Sequence, residues 1–139
     1  MADKLSKEQR SKLMGRVRRK DTDLEQTVRS ALHRKGYRFR KHVKGLPGTP
    51  DLVFTRHKLA VFLDGNFWHG YDFDSWKDKL KPFWRAKIER NMERDAQNVN
   101  DLEALGWRVL RIWQYEVKRD LPGVLARVER LLAPVVNAL

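Results

Sequence analysis

Two aspartates, a histidine and a glutamate stand where they could act together. Pro50-Asp51 precedes the apolar run Leu52-Val53-Phe54, and Asp64 ends the next run, Leu59–Leu63. Between them Thr55-Arg56-His57-Lys58 reads as a hairpin turn. In a hairpin the start of one strand lies beside the end of its partner, so Asp51 and Asp64 should converge at one edge of a sheet. Hard carboxylate oxygens hold Mg²⁺ while leaving waters for a substrate. A divalent ion beside a phosphodiester serves as a Lewis acid and can generate hydroxide. Two surface turn aspartates are the plainer reading of the same residues. His69 follows in Gly65-Asn66-Phe67-Trp68-His69-Gly70. Near a metal its neutral imidazole could take a proton from attacking water; away from one it is filler.

Glu25 has two readings as well. With Thr22 it fits a capping box, and a carboxylate at a helix N-terminus is also available to a catalytic site. Phe67-Trp68 sits in a glycine-bracketed polar loop, where two large rings suit either packing or wedging between base steps. Lys87, Arg90, Asn91, Arg94 and Asn98 form a polar stripe at spacings of three and four. That stripe suits phosphate contact or, with Glu89, Glu93 and Asp95, an ordinary salt-bridged face.

The elements that must position these groups follow from periodicity. Leu24, Val28, Ala31 and Leu32 recur at helical spacing before Gly36, giving a helix over about 23–35. Residues 37–43 partly alternate and read as a basic edge strand, followed by a proline-stiffened loop over 45–50. The two apolar strands come next, and 64–81 reads as irregular and aromatic. Pro82 starts a helix with an apolar stripe of Ile88, Met92, Val99, Leu102 and Leu105, ending at Gly106. Trp107–Trp113 is a strand. Pro122 opens a last helix with Val124, Leu125, Val128, Leu131 and Leu132 inward. The order αβββαβα predicts an α/β mixed sheet flanked by helices. Residues 1–20 form a basic arm and 21–139 a single domain.

Charge distribution narrows the partner. The chain has 139 residues and a net charge of +12. Residues 1–20 carry eight cations and two acids, residues 33–44 carry six cations and no acid, and the rest balances. Two concentrated basic stretches point to a polyanion, nucleic acid before an anionic membrane. With no cysteine, disulfides and thiolate-bound zinc are excluded, and a reducing cytoplasm is expected. The longest apolar run, Leu59–Leu63, is far too short to span a bilayer, and the N-terminus has no secretory h-region.

Five blocks in order carry a resemblance. They are Pro47-Gly48-Thr49-Pro50-Asp51-Leu52-Val53-Phe54, Val61 to Gly70, Phe83-Trp84, Asn91 to Asp95, and Leu105-Gly106-Trp107-Arg108-Val109-Leu110. Over roughly residues 10–120 the chain resembles the very-short-patch repair endonucleases. The resemblance implies a restriction-endonuclease-like fold of the PD-(D/E)XK type. It implies Mg²⁺-dependent nicking of one strand of duplex DNA at T:G mismatches, leaving a 5′-phosphate. Asp51 would be the metal aspartate, joined by Asp64 and the Leu63 carbonyl, with His69 as general base and Glu25 in support. Phe67 and Trp68 would intercalate from the major groove, backed by Trp84, and Met14 would approach from the minor groove. Arg16, Arg18, Arg19, Lys20, Lys87 and Arg94 would bind the DNA backbone.

The implied partner is double-stranded DNA, with mismatch-repair proteins as further partners. The implied protein is a monomer in the bacterial cytoplasm, working on the nucleoid and not on a membrane. Two departures stand out. The family's zinc-binding positions are Asn66, Tyr71-Asp72-Phe73 and Gln114 here, so no structural zinc is expected and Tyr71, Phe73 and Trp76 should hold the loop by packing. Asp64 stands where some members have histidine, and Asn66 takes the Lys position of the PD-(D/E)XK pattern. The rivals are a sequence-specific nickase or restriction-type nuclease on matched DNA, and a non-catalytic DNA-binding module.

Overall fold

The hydrophobic runs become a four-stranded sheet covered on both faces. The computed structural model of the chain describes residues 23–66 and 69–133. The basic arm with Met14, Arg16, Arg18, Arg19 and Lys20, the cap residue Thr22, and the pair Phe67-Trp68 lie outside the described residues.

Helix α1 covers 23–34. Strands β1 (Arg40–Lys41), β2 (Leu52–Phe54) and β3 (Leu59–Asp64) follow, then a short helix α2 (Phe73–Trp76) and the long helix α3 (Pro82–Ala104). Strand β4 (Arg108–Trp113) precedes helices α4 (Gln114–Arg119) and α5 (Leu121–Leu132). The sheet order is β1-β2-β3-β4, antiparallel except for the parallel β3–β4 pair. A parallel pair needs a long crossover, and α3 supplies it.

Alternation along β3 splits the core in two. Leu59, Val61 and Leu63 face α1 and α5, packing with Val28, Leu32, Val124, Leu125 and Val128. Ala60 and Phe62 face the other way and meet Leu102 of α3. A third cluster of Phe73 and Ile88, with Trp76, Leu80 and Trp84, ties the start of α3 to α2.

Several expectations need correction. The edge strand shrinks to two exposed residues, because His42 turns into the left-handed region at φ 48° and takes the chain out of the extended conformation, although its N–H still donates to the Asp51 carbonyl at 3.2 Å. The hairpin turn at Thr55–His57 is one turn of 3-10 helix closed by left-handed Lys58. Short helices α2 and α4 lie where no periodicity marked them, so the order αβββαβα becomes αβββααβαα. The stripe on α3 is partly wrong: Ile88 and Leu102 are buried, but Met92 is 37% and Leu105 55% exposed. On α5, Asp120 accepts a hydrogen bond from the Gly123 N–H at 3.0 Å and caps the helix as Pro122 enters it.

Candidate active site

Asp51 stands one residue before β2, and its backbone N–H donates to the Val61 carbonyl at 3.0 Å, extending the ladder. Its Oδ2 accepts the Leu63 N–H at 2.7 Å, so the carboxylate is pinned to the end of β3. On the other side His42 approaches: its Nδ1 is 3.9 Å from Asp51 Oδ1 and its Nε2 is 3.0 Å from Glu25 Oε2. Ligand atoms of Glu25, His42 and Asp51 lie within 4.8 Å of one another, the one such group among the described residues. Burial raises the Asp51 pKa, against the pull of the Leu63 N–H, Glu25, His42 and His69. Two carboxylates and an imidazole gathered in this way suit a divalent cation. The left-handed turn that truncates β1 is what brings His42 here.

Asp64 belongs to a second group. It is 2% exposed and lies on the α3 face of β3. Its Oδ1 is 3.7 Å from His69 Nε2, and its Oδ2 is 2.9 Å from Arg111 Nε. His69 Nδ1 meets Asp95 Oδ2 of α3 at 2.7 Å, and Arg111 Nη1 lies 3.5 Å from that same oxygen. Burial pushes the Asp64 pKa up to about 6, opposed by His69 and Arg111 and reinforced by Asp95 and Asp51. For His69, burial alone would lower the pKa, but the Asp95 hydrogen bond and the charges of Asp64 and Asp95 raise it overall. A histidine held through Nδ1 by a carboxylate has a fixed orientation and tautomer, as a general base requires.

The hairpin therefore brings Asp51 and Asp64 to the same end of the sheet, close enough to influence each other's ionisation. It does not join them in one ligand group: Glu25 and His42 take the place beside Asp51 where Asp64 was expected. His42, Asp95 and Arg111 are the residues sequence reasoning passed over as site groups. Asp95 did carry a signal, standing in one of the five resemblance blocks.

The loop bearing His69 is fastened at several points. Tyr71 N–H donates to the Asn66 carbonyl at 2.9 Å, and Tyr115 N–H to Asn66 Oδ1 at 3.3 Å, so Asn66 has a structural use. The Tyr71 ring packs on Trp113 and Tyr115, the Trp76 indole N–H donates to the Tyr71 carbonyl at 2.9 Å, and Phe73 meets Trp76 edge to face. Gly70 adopts φ 76°, and a Cβ there would come within 2.5 Å of Met92 Sδ, so α3 touches the loop as closely as backbone allows.

Elsewhere the surface carries exposed cations and aromatic rings. Arg34, Lys35, Arg38, Arg40, Lys41 and Lys44 are all exposed. Trp84 packs in the third cluster with Phe83, 65% exposed, against its edge, and Lys87 Nζ sits 5.7 Å from the Trp84 ring. Arg94 is exposed on α3, and the Asn98 side chain lies against Gly48. No described helix is long and apolar enough to cross a membrane.

Comparison with known proteins fits this geometry. The chain is 46% identical over 136 residues to a Type II nicking enzyme, V.XorIIP, of Xanthomonas oryzae, covering 96% of this chain and 99% of that protein. It is 44% identical over 123 residues to the Type II nicking enzyme V.HpaIIP of Haemophilus parainfluenzae, covering 85% and 86% of the two chains. It is 38% identical over 116 residues to the DNA mismatch endonuclease Vsr of Escherichia coli K12, covering 82% and 74%. Residues 2–75 match the family described as DNA mismatch endonuclease Vsr. A family match over more than half of the chain and relatives of this identity and coverage settle its membership: the chain belongs to the Vsr family of DNA endonucleases.

Proposed function

We propose that this endonuclease nicks one strand of duplex DNA at T:G mismatches, using Mg²⁺ and a PD-(D/E)XK-type site. The observation that carries the reading is the adjacency of two groups, Glu25–His42–Asp51 and His69–Asp95, at one end of β3. Asp51 and Glu25 supply hard oxygens suited to Mg²⁺, His42 stands as a third donor, and the Leu63 carbonyl is the further ligand implied by the family. When bound, the ion supplies Lewis-acid stabilisation of the charge that grows on the phosphoryl oxygens. His69 Nε2 takes a proton from water as that water attacks phosphorus, the P–O3′ bond breaks, the departing 3′ oxygen takes a proton from solvent, and the 5′-phosphate remains on the downstream strand. Asp95 holds the ring through Nδ1 and stabilises the imidazolium that forms.

The basic arm, the exposed 34–44 stretch, Lys87 and Arg94 provide salt-sensitive affinity for the DNA backbone. Phe67 and Trp68 would be the wedge, with Trp84 and Met14 as the further DNA-contacting residues that the family implies. The names of two relatives, nicking enzymes, favour single-strand cleavage over a double-strand cut.

The test is incubation with Mg²⁺ and T:G-containing or fully matched duplexes, with mapping of any nick. A nick beside the mismatched thymine supports the reading; a nick on matched DNA alone would leave a sequence-specific nickase. Stacking is worth about 1–3 kcal/mol per base, so the Phe67→Ala/Trp68→Ala protein should lose roughly tenfold or more of its T:G preference while still binding DNA. An unchanged preference would return both rings to a packing role.

A further inference from the structure

The mechanism above leaves Arg111 without a task, although it touches both carboxylates that flank the base. Parallel pairing sets Phe62 of β3 beside Arg111 of β4, and the guanidinium carbon lies 4.9 Å from the Phe62 ring centre. That ring is a platform on which a planar cation stacks. From it, Nε reaches to 2.9 Å from Asp64 Oδ2 and Nη1 to 3.5 Å from Asp95 Oδ2.

As a stabilising feature the arrangement is poor. The Nε–H is not aimed along the ion pair, and Arg111 Nε, Arg111 Nη2 and Asp64 Oδ2 have no hydrogen-bond partner among the described residues. Buried pairs with unmet donors are commonly matched or bettered by apolar side chains.

The separation between His69 Nε2 and Asp64 Oδ1 indicates a task for Arg111. At 3.7 Å it is too long for a hydrogen bond; an imidazole N–H donating to a carboxylate closes to about 2.8 Å. Asp64 stands beside the very nitrogen that must keep a lone pair, and the cation on its other oxygen holds it back. We propose that Arg111 is a positioning residue: it draws Asp64 off His69 Nε2, leaving that nitrogen open to accept a proton from water. Without Arg111, Asp64 closes onto Nε2, and the ring is gripped at both nitrogens with no lone pair to offer. This rests on His69 being the base.

Three proteins test it: Arg111→Met, the double variant Arg111→Met/Asp64→Asn, and His69→Ala. Arg111→Met should cut kcat on saturating DNA by about 100-fold with KM within threefold. Adding Asp64→Asn should recover at least tenfold of that loss, because the competing carboxylate is gone. In the metal-free protein at alkaline pH, ¹⁵N spectra should show His69 Nε2 unprotonated in the parent chain, protonated in Arg111→Met, and unprotonated again in the double variant. The spectra do not depend on turnover, and a merely structural role would not move them back. If Arg111→Met does not fold, the double variant, which also lacks the uncompensated buried charge, carries the test through its spectrum and its kcat. Full nicking by Arg111→Met while His69→Ala is dead, or an unchanged Nε2 in both Arg111 variants, overturns the role of Arg111. Full nicking by His69→Ala overturns the base assignment instead.

Discussion

The two halves of the site surround their carboxylates with different partners. On the α1 side, Glu25 and Asp51 gather beside His42, with Arg29 3.4 Å from Glu25. Glu25 and Asp51 are partly accessible, and the His42 side chain is about half exposed. On the α3 side, Asp64 is buried, Asp95 is about as accessible as Glu25 and Asp51, and Arg111 bridges the two. In one half an exposed imidazole stands beside two carboxylates; in the other a guanidinium spans them. On the proposed reading, the neighbour supplied by the next element decides whether a carboxylate takes an ion or serves the base.

The sharpest way to break the contrast is to remove the anchor of the α1 half. Asp51→Ala should lower nicking by about 10³-fold or more, since the ion that stabilises transition-state charge loses its main carboxylate. DNA affinity should stay within a few fold, read from a gel-shift titration beside single-turnover nicking. Robust Mg²⁺-dependent cleavage by that variant would remove Asp51 from the metal role.

Asp95→Asn probes the α3 half and should cost about 100-fold in kcat, because the amide no longer favours the Nδ1–H form of His69. Its Mg²⁺ requirement should not change. If half-maximal Mg²⁺ rose instead, the two halves would be one ligand shell and the division drawn here would fail.

The smallest effect is on pH. His69 must be neutral to act, and its pKa lies above the ordinary 6.5. Nicking should therefore rise with pH through a midpoint above 6.5, falling away on the acid side where the ring is already protonated. Asp64→Asn removes one of the charges that raise this pKa, so the midpoint should move down in pH. A midpoint unmoved by Asp64→Asn would mean that Asp95 alone sets the base.

Much of this architecture was legible in the sequence because it is periodic. Leu52–Phe54, Leu59–Asp64, Arg108–Trp113 and the helix opening at Pro82 appear within a residue or two of their expected bounds. What escaped was decided by distant contacts. His42 looked like one more member of a basic strand, and only its left-handed backbone and a partner on α1 make it a candidate ligand. Asp95 looked like a surface acid among Glu89 and Glu93; its partner His69 lies 26 residues earlier on another element. Met92 fell on the apolar stripe, yet it is spent on the underside of Gly70. Local pattern says which side of a helix is apolar, but not which neighbour arrives there.

The parallel join between β3 and β4 has a consequence for when the protein becomes dangerous to DNA. Side chains alternate along a strand, so a one-residue slip of β4 would send Arg111 to the opposite face of the sheet. Phe62 and Asp64 would lose their cation together. Strand β4 is thus a safety catch: on the proposed reading, a half-made or misregistered chain holds the hydrolytic residues in its sequence but not in working order.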